Sequence, residues 1–211
     1  MTLPSVCLLT PIRESVPAPA VQSLVDTIID YTKRGGRILY RTNWRASVLP
    51  QARNLLVREA LATDAQYILW HDADLVTAPG HIDALLALET DIACGAFCTR
   101  DGSGHVVGDP LRDVPPLKPN VIAMRRIGFG WVLMRRSALL KMHKEHGDGL
   151  FECRFDGRVI VGEDYVFSDK WRASGGQLWM HTGVRLGHVG PQLFELPSKT
   201  PSAAIPESSE T

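Results

Sequence analysis

An apolar run that ends in two closely spaced acids is the strongest chemical signal in the chain. Residues 67–70 have the character of a buried strand, and His71, Asp72, Ala73 and Asp74 follow directly. In open α/β sheets, ligands collect beyond the carboxyl ends of the strands. Carboxylate oxygens placed there suit a hard divalent cation that also binds phosphate. An Asp-x-Asp motif alone is more often a polar loop or a cap, so other elements must support a metal site.

His188 is a second candidate metal ligand. It lies between Gly187 and Gly190, in a short segment that follows an apolar stretch. A lone histidine is more often a core or surface residue than a ligand. An imidazole added to carboxylate oxygens, however, shifts the preference of a site from magnesium toward manganese.

Glu163 and Asp164 open a predicted helix directly after Gly162. Acidic residues at a helix start commonly do no more than complement the helix dipole. The nearby Tyr165 and Phe167 favour instead a carboxylate aimed into a pocket. Such a group could accept a proton from an attacking hydroxyl or hydrogen-bond an acceptor.

Two further features have both a structural and a functional interpretation. Arg53 lies near the start of a predicted helix, where a guanidinium can anchor either a loop or a phosphate. Gly128 and Gly130 flank Phe129 in a turn that enters a strand. That turn is either a simple bulge or a place where backbone N–H groups approach a sugar or pyrophosphate.

The first half of the chain predicts a β-α-β-α-β arrangement. Residues 6–10 form an apolar run closed by Pro11, and residues 20–34 carry apolar side chains at helical spacing. A strand over residues 37–40, a helix capped by Ser47 and the strand that ends at Asp72 follow. This order is typical of a parallel sheet with crossover helices.

The second half predicts shorter and more varied elements. Residues 100–119 are rich in Gly, Pro and Asp and predict a long, mobile flap over the site. We expect strands at residues 121–124 and 131–134, a helix capped by Ser137, and a hairpin at Asp156-Gly157. A last strand pair contains Trp179 and His188.

The whole chain therefore predicts one α/β domain over residues 1–195. A mostly parallel sheet is flanked by helices, with a smaller antiparallel part in the C-terminal half. Residues 196–211 are dominated by Pro, Ser and Thr and predict a flexible tail.

Composition argues against several classes of protein, although a local basic patch can coexist with zero net charge. The 211 residues are 45% hydrophobic and 22% charged, with 23 basic and 23 acidic residues, so no global field attracts nucleic acid or membrane. No apolar run approaches the ~18 residues of a membrane span, and no signal peptide is evident. The four cysteines form no C-x-x-C motif and predict buried thiols in a reducing compartment, which indicates a cytoplasmic protein.

Taken in order, the motifs resemble those of the GT-A nucleotide-sugar glycosyltransferases, in particular the short family-two-like enzymes common in bacteriophages. The resemblance extends from Val6 to about Gly190 and rests on six short pieces. These are Thr10-Pro11, Ala52-Arg53-Asn54, His71-Asp72-Ala73-Asp74, Gly128-Phe129-Gly130, Gly162-Glu163-Asp164-Tyr165-Val166-Phe167 and His188-Val189-Gly190.

The resemblance implies a role for each piece. Asp74 would bind Mn²⁺ (or Mg²⁺) directly, Asp72 would contact the ribose or the water shell of the metal, and His188 would complete the site. The nucleotide-sugar site would consist of these and further residues: Thr10, Pro11, Arg13, Arg53, Asp72, Gly128 and Gly130. Asp164 would face the acceptor, with Glu163 beside it. In an inverting enzyme Asp164 would be the general base, and in a retaining enzyme it would only position the substrate. His71 stands where many relatives carry an apolar residue.

The donor implied is a nucleoside-diphosphate sugar, with a UDP-sugar as the expected form. A phage-type enzyme would work in the host cytoplasm, on a hydroxymethylated pyrimidine in DNA. Such an acceptor would need Arg41, Arg45, Arg125-Arg126 and Arg135-Arg136 to form a basic face. A protein or glycan acceptor is the alternative.

Two other functions compete with sugar transfer. Asp72-Ala73-Asp74-Leu75-Val76 also fits the motif of haloacid-dehalogenase-like phosphatases, in which the first Asp is the nucleophile. Those enzymes place that motif after their first strand, whereas two βα units precede it here. A non-catalytic module that binds nucleotide sugars is the remaining possibility.

Overall fold

A computed structural model describes residues 3–44, 47–190 and 193–195. The strands are β1 (Ser5–Ile12), β2 (Arg37–Trp44), β3 (Tyr67–His71), β4 (Leu75–Val76), β5 (Ile92–Ala96), β6 (Gly108–Pro110), β7 (Val121–Ile127), β8 (Trp131–Arg135), β9 (Arg154–Phe155), β10 (Ile160–Val161), β11 (Leu178–Arg185), β12 (Gly187–Val189) and β13 (Leu193–Phe194). The helices are α1 (Ala18–Lys33), α2 (Leu49–Leu61), α3 (His81–Leu86), α4 (Arg136–His146) and α5 (Glu163–Ala173), with a 3₁₀ turn at Gly147–Gly149.

An eight-stranded sheet in the order β2-β1-β3-β8-β5-β11-β7-β6 forms the centre of the molecule. β1 pairs in parallel with β2 and β3, and β8 runs antiparallel between β3 and β5. β1, β3 and β5 therefore point the same way, and the segments that follow them meet at one edge of the sheet. Two small antiparallel sheets complete the fold, one of β9 and β10, the other of β13, β12 and β4.

Helices cover both faces of the central sheet. On one face α2, α4 and α5 contribute Leu56, Leu139 and Phe167 to a buried cluster that also contains Trp70. On the other face α1 and α3 contribute Leu24, Tyr31, Ile82 and Leu85. The predicted β-α-β-α-β order of the first half and the predicted α/β fold class are confirmed.

Both predicted serine caps are wrong. Val48 precedes the first turn of α2, and no side chain caps that helix. Arg135 precedes α4, and Ser137 lies within the helix. In both places the position of the first helical turn follows from how the helix packs on the sheet. The preference of serine for the cap position does not predict that packing.

Pro11 does not close the first strand. β1 continues to Ile12 because Pro11 and Ile12 pair only with β2, and the pairing with β3 stops at Leu9. A proline is tolerated where one side of the strand has no partner that needs its missing N–H.

The segment over residues 100–119 is not one structureless flap. It contains β6, which pairs with β7, and its first part is closed by a bridge between Cys98 and Val106. The expected strand pair of Trp179 and His188 is also wrong, because β11 belongs to the central sheet and β12 pairs with β4 and β13.

Several other expectations have clear outcomes. The Asp156-Gly157 hairpin is confirmed as the turn between β9 and β10, with Gly157 at a φ of 97°. Cys7, Cys94 and Cys98 are buried as predicted, whereas Cys153 is exposed. In the described part of the chain no helix is both long and apolar enough to cross a membrane. The predicted tail over residues 196–211 lies outside the described residues.

Candidate functional site

The backbone that carries the two acids is fixed from three directions. It connects the end of β3 to β4, and the Asp72 N–H donates to the Gly130 carbonyl at 2.8 Å. The Leu75 N–H returns to the Asp72 carbonyl at 3.1 Å, and the Val189 N–H donates to the Asp74 carbonyl at 2.8 Å. This segment, residues 72–74, is called the acidic loop. Its hydrogen bonds tie it to the turn before β8 and to β12.

His188 lies directly against Asp74. β12 pairs with β4, and His188 stands opposite Leu75 in the register. Its Nε2 is 3.4 Å from Asp74 Oδ2, and its Nδ1 is 2.8 Å from the Cys98 carbonyl oxygen. A carbonyl only accepts, so Nδ1 carries a proton, and in the neutral ring the lone pair sits on Nε2 and faces Asp74. Burial favours the neutral ring, but the hydrogen bonds to Asp74 and Cys98 outweigh it and raise the pKa of His188.

Arg100 places a positive charge on the same carboxylate. Its Nη1 is 2.8 Å from Asp74 Oδ2, the oxygen that also faces His188. Burial by itself would raise the pKa of Asp74. The hydrogen bond to His188 and the charges of His188 and Arg100 have the larger combined effect and lower it. Asp74 is therefore a carboxylate at neutral pH, with Arg100 and His188 gathered around one oxygen.

The donor set of Asp74 and His188 fits a divalent cation. It offers a carboxylate oxygen and an imidazole nitrogen whose other nitrogen is hydrogen-bonded to a carbonyl, the usual arrangement behind a metal-binding histidine. Among the described residues no group of three or more His, Cys, Asp or Glu side chains surrounds a common point. A cation bound there would take two ligands from Asp74 and His188 and the others from substrate oxygens and water, as magnesium and manganese sites beside phosphates do.

Asp72 does not join that pair. Its Oδ1 accepts a hydrogen bond from Arg53 Nη2 at 2.9 Å, while about a third of the side chain (31%) remains exposed. In this geometry the carboxylate is engaged by an arginine, and its predicted place in the water shell of the metal stays a prediction. Its predicted contact with the donor remains a prediction.

Arg53 is a buried structural cation rather than a surface anchor. Only 2% of its side chain is exposed, and its Nε donates to Glu163 Oε1 at 3.2 Å. The guanidinium packs against the rings of Trp70, Phe129 and Phe151, at 5.3 to 5.9 Å from their centroids. Arg53 therefore holds two acids in place, and its predicted contact with the nucleotide sugar stays a prediction.

Glu163 and Asp164 point to different places although they are neighbours. Glu163 turns inward to Arg53. Asp164 lines an open cavity of about 410 Å³, and its Oδ1 accepts a hydrogen bond from the Tyr165 N–H at 2.8 Å. Burial, and secondarily the charge of Glu163, raise the pKa of Asp164 to about 6. Of the two predicted catalytic acids, Asp164 faces the cavity and Glu163 is paired with Arg53, and their catalytic roles stay predictions.

The cavity beside Asp164 has apolar and aromatic walls. The hairpin of β9 and β10 contributes Val159 and Ile160, and α5 contributes Tyr165. Arg126 stacks over the Tyr165 ring at 5.5 Å and donates two hydrogen bonds to Asp169, at 2.9 and 3.0 Å. The Tyr165 ring is thus held against the cavity by a fixed arginine.

His71 has a structural role that its sequence position did not reveal. Its Nε2 donates to the Leu75 carbonyl at 3.1 Å, so its Nδ1 is left to accept from the Thr10 hydroxyl at 3.3 Å. Burial lowers the pKa of His71 to about 4, so the ring is neutral. It connects the end of β1 to the acidic loop.

Three residues at the end of β1, Thr10, Pro11 and Arg13, were predicted to line the nucleotide-sugar site. Two of them are buried and one is exposed. Thr10 and Pro11 are buried, and the Thr10 hydroxyl is hydrogen-bonded to His71. Their predicted contact with the nucleotide stays a prediction. Arg13 follows β1 with 78% of its side chain exposed and lies 3.6 Å from Glu14. Arg13 alone is free to reach a ligand, and its predicted role stays a prediction.

Gly128 and Gly130 serve packing. A Cβ at Gly130 would lie 2.5 Å from Leu75 Cδ1, and a Cβ at Gly128 would lie 2.6 Å from Val107 Cγ1. Both residues are buried, and their predicted contact with the nucleotide sugar stays a prediction. Their small size lets the turn approach the acidic loop, where the Gly130 carbonyl accepts from Asp72.

Sequence reasoning missed Arg100, the Cys98 carbonyl and the Arg126–Tyr165 pair. Arg100 was identifiable only as a basic residue at the start of a segment already predicted to cover the site. The role of the Cys98 carbonyl has no signal in the sequence, because any residue supplies a carbonyl.

Comparisons with known proteins identify the fold. No family model matches the chain, and no curated protein matches it significantly. The chain is similar to the crystal structure of A197 from STIV, with a TM-score of 0.60, 15% identity, and 96% of this chain and 98% of that one covered. It is also similar to a mutant of Drosophila β-1,4-galactosyltransferase 7 in complex with manganese, UDP-Gal and xylobiose, with a TM-score of 0.54, 16% identity, and 89% and 71% covered. At these identities the likeness shows a shared fold and confirms the GT-A-like architecture.

Proposed function

We propose that this protein transfers a sugar from a nucleoside-diphosphate sugar to an acceptor hydroxyl, with a divalent cation held by Asp74 and His188. The observation that carries the proposal is the pair itself: Asp74 Oδ2 and His188 Nε2 lie 3.4 Å apart, and the Cys98 carbonyl holds the imidazole in place. The fold shared with a galactosyltransferase that was crystallised with manganese and UDP-Gal supports the same conclusion.

The chemical difficulty in such a transfer is the charge that develops on the departing diphosphate. A bound cation acts as a Lewis acid on those oxygens, an effect worth several kcal/mol. Asp74 and His188 would hold it, and the mixed oxygen and nitrogen ligands favour manganese over magnesium. The buried Arg53 keeps Asp72 beside this point, where the carboxylate with its exposed portion can contact the donor.

Asp164 is the proposed general base. The acceptor hydroxyl loses its proton to the Asp164 carboxylate as its oxygen bonds to the sugar carbon and the bond to the diphosphate breaks. A base is most effective when its pKa lies near the working pH, and burial brings the pKa of Asp164 to about 6. Its position on the open cavity gives an acceptor access.

The acceptor most compatible with the cavity is a glycan, or another uncharged compound that bears hydroxyl groups. Tyr165, Val159 and Ile160 offer an apolar wall to the face of a sugar ring, and Asp164 offers a hydrogen-bond acceptor to its hydroxyls. A hydroxymethylated pyrimidine in DNA would need a basic surface. Arg126, however, is paired with Asp169. The Arg125-Arg126 pair lies in β7, whereas Arg135 ends β8 and Arg136 begins α4, and β7 and β8 are separated by β5 and β11.

The test is a screen of nucleoside-diphosphate sugars for release of free nucleoside diphosphate, with and without Mn²⁺. We expect release with Mn²⁺ from at least one donor, and a loss of roughly 100-fold or more in Asp74→Ala, because the charge on the leaving group is then uncompensated. Circular dichroism checks that the variant folds. Asp113→Ala, which removes an exposed acid elsewhere, is the matched control.

Different results favour the competing functions. Manganese-dependent release that survives in Asp74→Ala contradicts the metal assignment. Binding of a donor without any release indicates a binding module. Release of inorganic phosphate that depends on Asp72 supports the phosphatase, although the hydrogen bond from Arg53 to Asp72 Oδ1 gives that nucleophile no support.

A further inference from the structure

Residues 97–107 form a finger that leans over the acidic loop. Its two sides are joined by hydrogen bonds from the Thr99 N–H to the His105 carbonyl and from the Val107 N–H to the Phe97 carbonyl, both at 2.9 Å. At its tip, the Asp101 carboxylate accepts from the Thr99 hydroxyl at 2.6 Å and from the Ser103 N–H at 3.0 Å. The backbone around Arg100 is therefore held on both sides.

The finger contacts the Asp74–His188 pair at two points. The Cys98 carbonyl orients His188, and the Arg100 guanidinium binds Asp74 Oδ2. With 51% of its side chain exposed, Arg100 can change rotamer without any rearrangement of the finger. A cation that binds Asp74 Oδ2 and His188 must displace the guanidinium from that oxygen, because like charges cannot share it.

We propose that Arg100 is a donor-binding residue that exchanges partners: it neutralises Asp74 before the metal binds and contacts the diphosphate of the donor afterwards. This inference rests on the proposed function, since it requires the cation at Asp74 and His188. Once displaced, the guanidinium remains tethered beside the site by the finger. The nearest uncompensated negative charge is then the metal-bound diphosphate, for which a planar guanidinium is a well-matched partner.

The exchange predicts effects of opposite sign on two ligands. Arg100→Ala removes the competitor for Asp74, so the affinity for Mn²⁺ alone should rise about two- to fivefold, the range for an exposed ion pair. The same variant loses a diphosphate contact. Its affinity for UDP, GDP or inorganic pyrophosphate at saturating Mn²⁺ should therefore fall by roughly three- to tenfold.

Isothermal titration calorimetry of the full chain measures both affinities. Arg112→Ala, an exposed arginine in the same connection between β5 and β7, is the matched control and should change neither. Arg100→Lys keeps the charge without the planar fork. It should bind Mn²⁺ as the wild type does and recover part of the diphosphate affinity, a rescue that a purely structural role would not produce.

The possible outcomes separate the two proposals. If the wild type binds Mn²⁺ and Asp74→Asn does not, but Arg100→Ala leaves Mn²⁺ affinity unchanged or lower, the role of Arg100 is wrong and the metal site stands. A rise in Mn²⁺ affinity without any loss for diphosphates also overturns the exchange. If the wild type binds no Mn²⁺, or binds it equally after Asp74→Asn, both proposals fail.

Discussion

The Nδ1 of His188 is held by a backbone carbonyl, and the ring packs edge-on against Phe97. The Cys98 carbonyl fixes the Nδ1 proton and leaves Nε2 toward Asp74. Residue type and sequence position were enough to select Asp74 and His188 as candidate ligands. They were not enough for Arg53, because its burial depends on how α2 packs against Phe129 and Phe151.

The same limit applies to His71. A histidine between an apolar run and two acids is of a residue type, and at a sequence position, that would suit a metal ligand. Its two ring nitrogens are instead used by Thr10 and Leu75 inside the molecule. Contacts between segments that are distant in the sequence decide whether a polar side chain faces a ligand or the interior. The residues next to it in the sequence do not reveal those contacts.

Asp164 supports a prediction about pH. Its pKa, raised by burial to about 6, makes the proton-accepting form predominate only above that pH. The rate of transfer should therefore fall as the pH decreases through about 6. Asp164→Asn should lower kcat by roughly 10²- to 10⁴-fold, the usual contribution of a general base. A pH profile of kcat/KM for the two proteins measures both effects.

The control for this prediction is the residual activity of the Asn variant. It should lack the acidic limb near pH 6, because the titrating group is gone, while donor affinity stays close to that of the wild type. An unchanged limb in Asp164→Asn would assign the titration to another group and remove Asp164 as the base.

At the scale of elements, long periodic segments were predictable and short ones were not. α1 and α2 carry enough apolar residues at helical spacing to be identified from sequence. β4 and β12 have only two and three residues, and they exist because they pair with each other. Yet this pairing places His188 next to the acidic loop, so the site depends on the least predictable elements.

Arg53 joins three elements and supports a prediction about stability. It lies on α2 and contacts Asp72 after β3 and Glu163 at the start of α5. Arg53→Met leaves two partly buried acids without their counter-ion, so the free energy of unfolding should fall by about 3–5 kcal/mol. Urea unfolding at neutral pH measures the change.

Arg58→Met is the matched control, since Arg58 lies on the same helix and pairs with Asp148 at the surface. An exposed pair is worth at most about 1 kcal/mol, so this variant should remain close to wild type. Equal effects of the two substitutions would show that Arg53 is no more than a surface ion pair and would contradict its structural role.

At the scale of the whole molecule, the α/β architecture followed from the alternation of strands and helices, and the observed sheet confirms it. β1, β3 and β5 run in the same direction, so Arg13, the acidic loop and the finger converge at one edge of the sheet. Fold alone does not define the reaction, because one architecture supports many chemistries. In the proposed reaction, the cavity beside Asp164, which is lined by a hairpin, the start of α5 and β7, would select the acceptor.

The most direct test is anomalous diffraction at the manganese edge, from crystals grown with Mn²⁺ and a nucleoside diphosphate. The expected result is one strong anomalous peak in contact with both Asp74 Oδ2 and His188 Nε2, with Arg100 no longer on Asp74. A map without a peak there, with the Arg100–Asp74 ion pair intact, would contradict a metal-dependent transfer at this site.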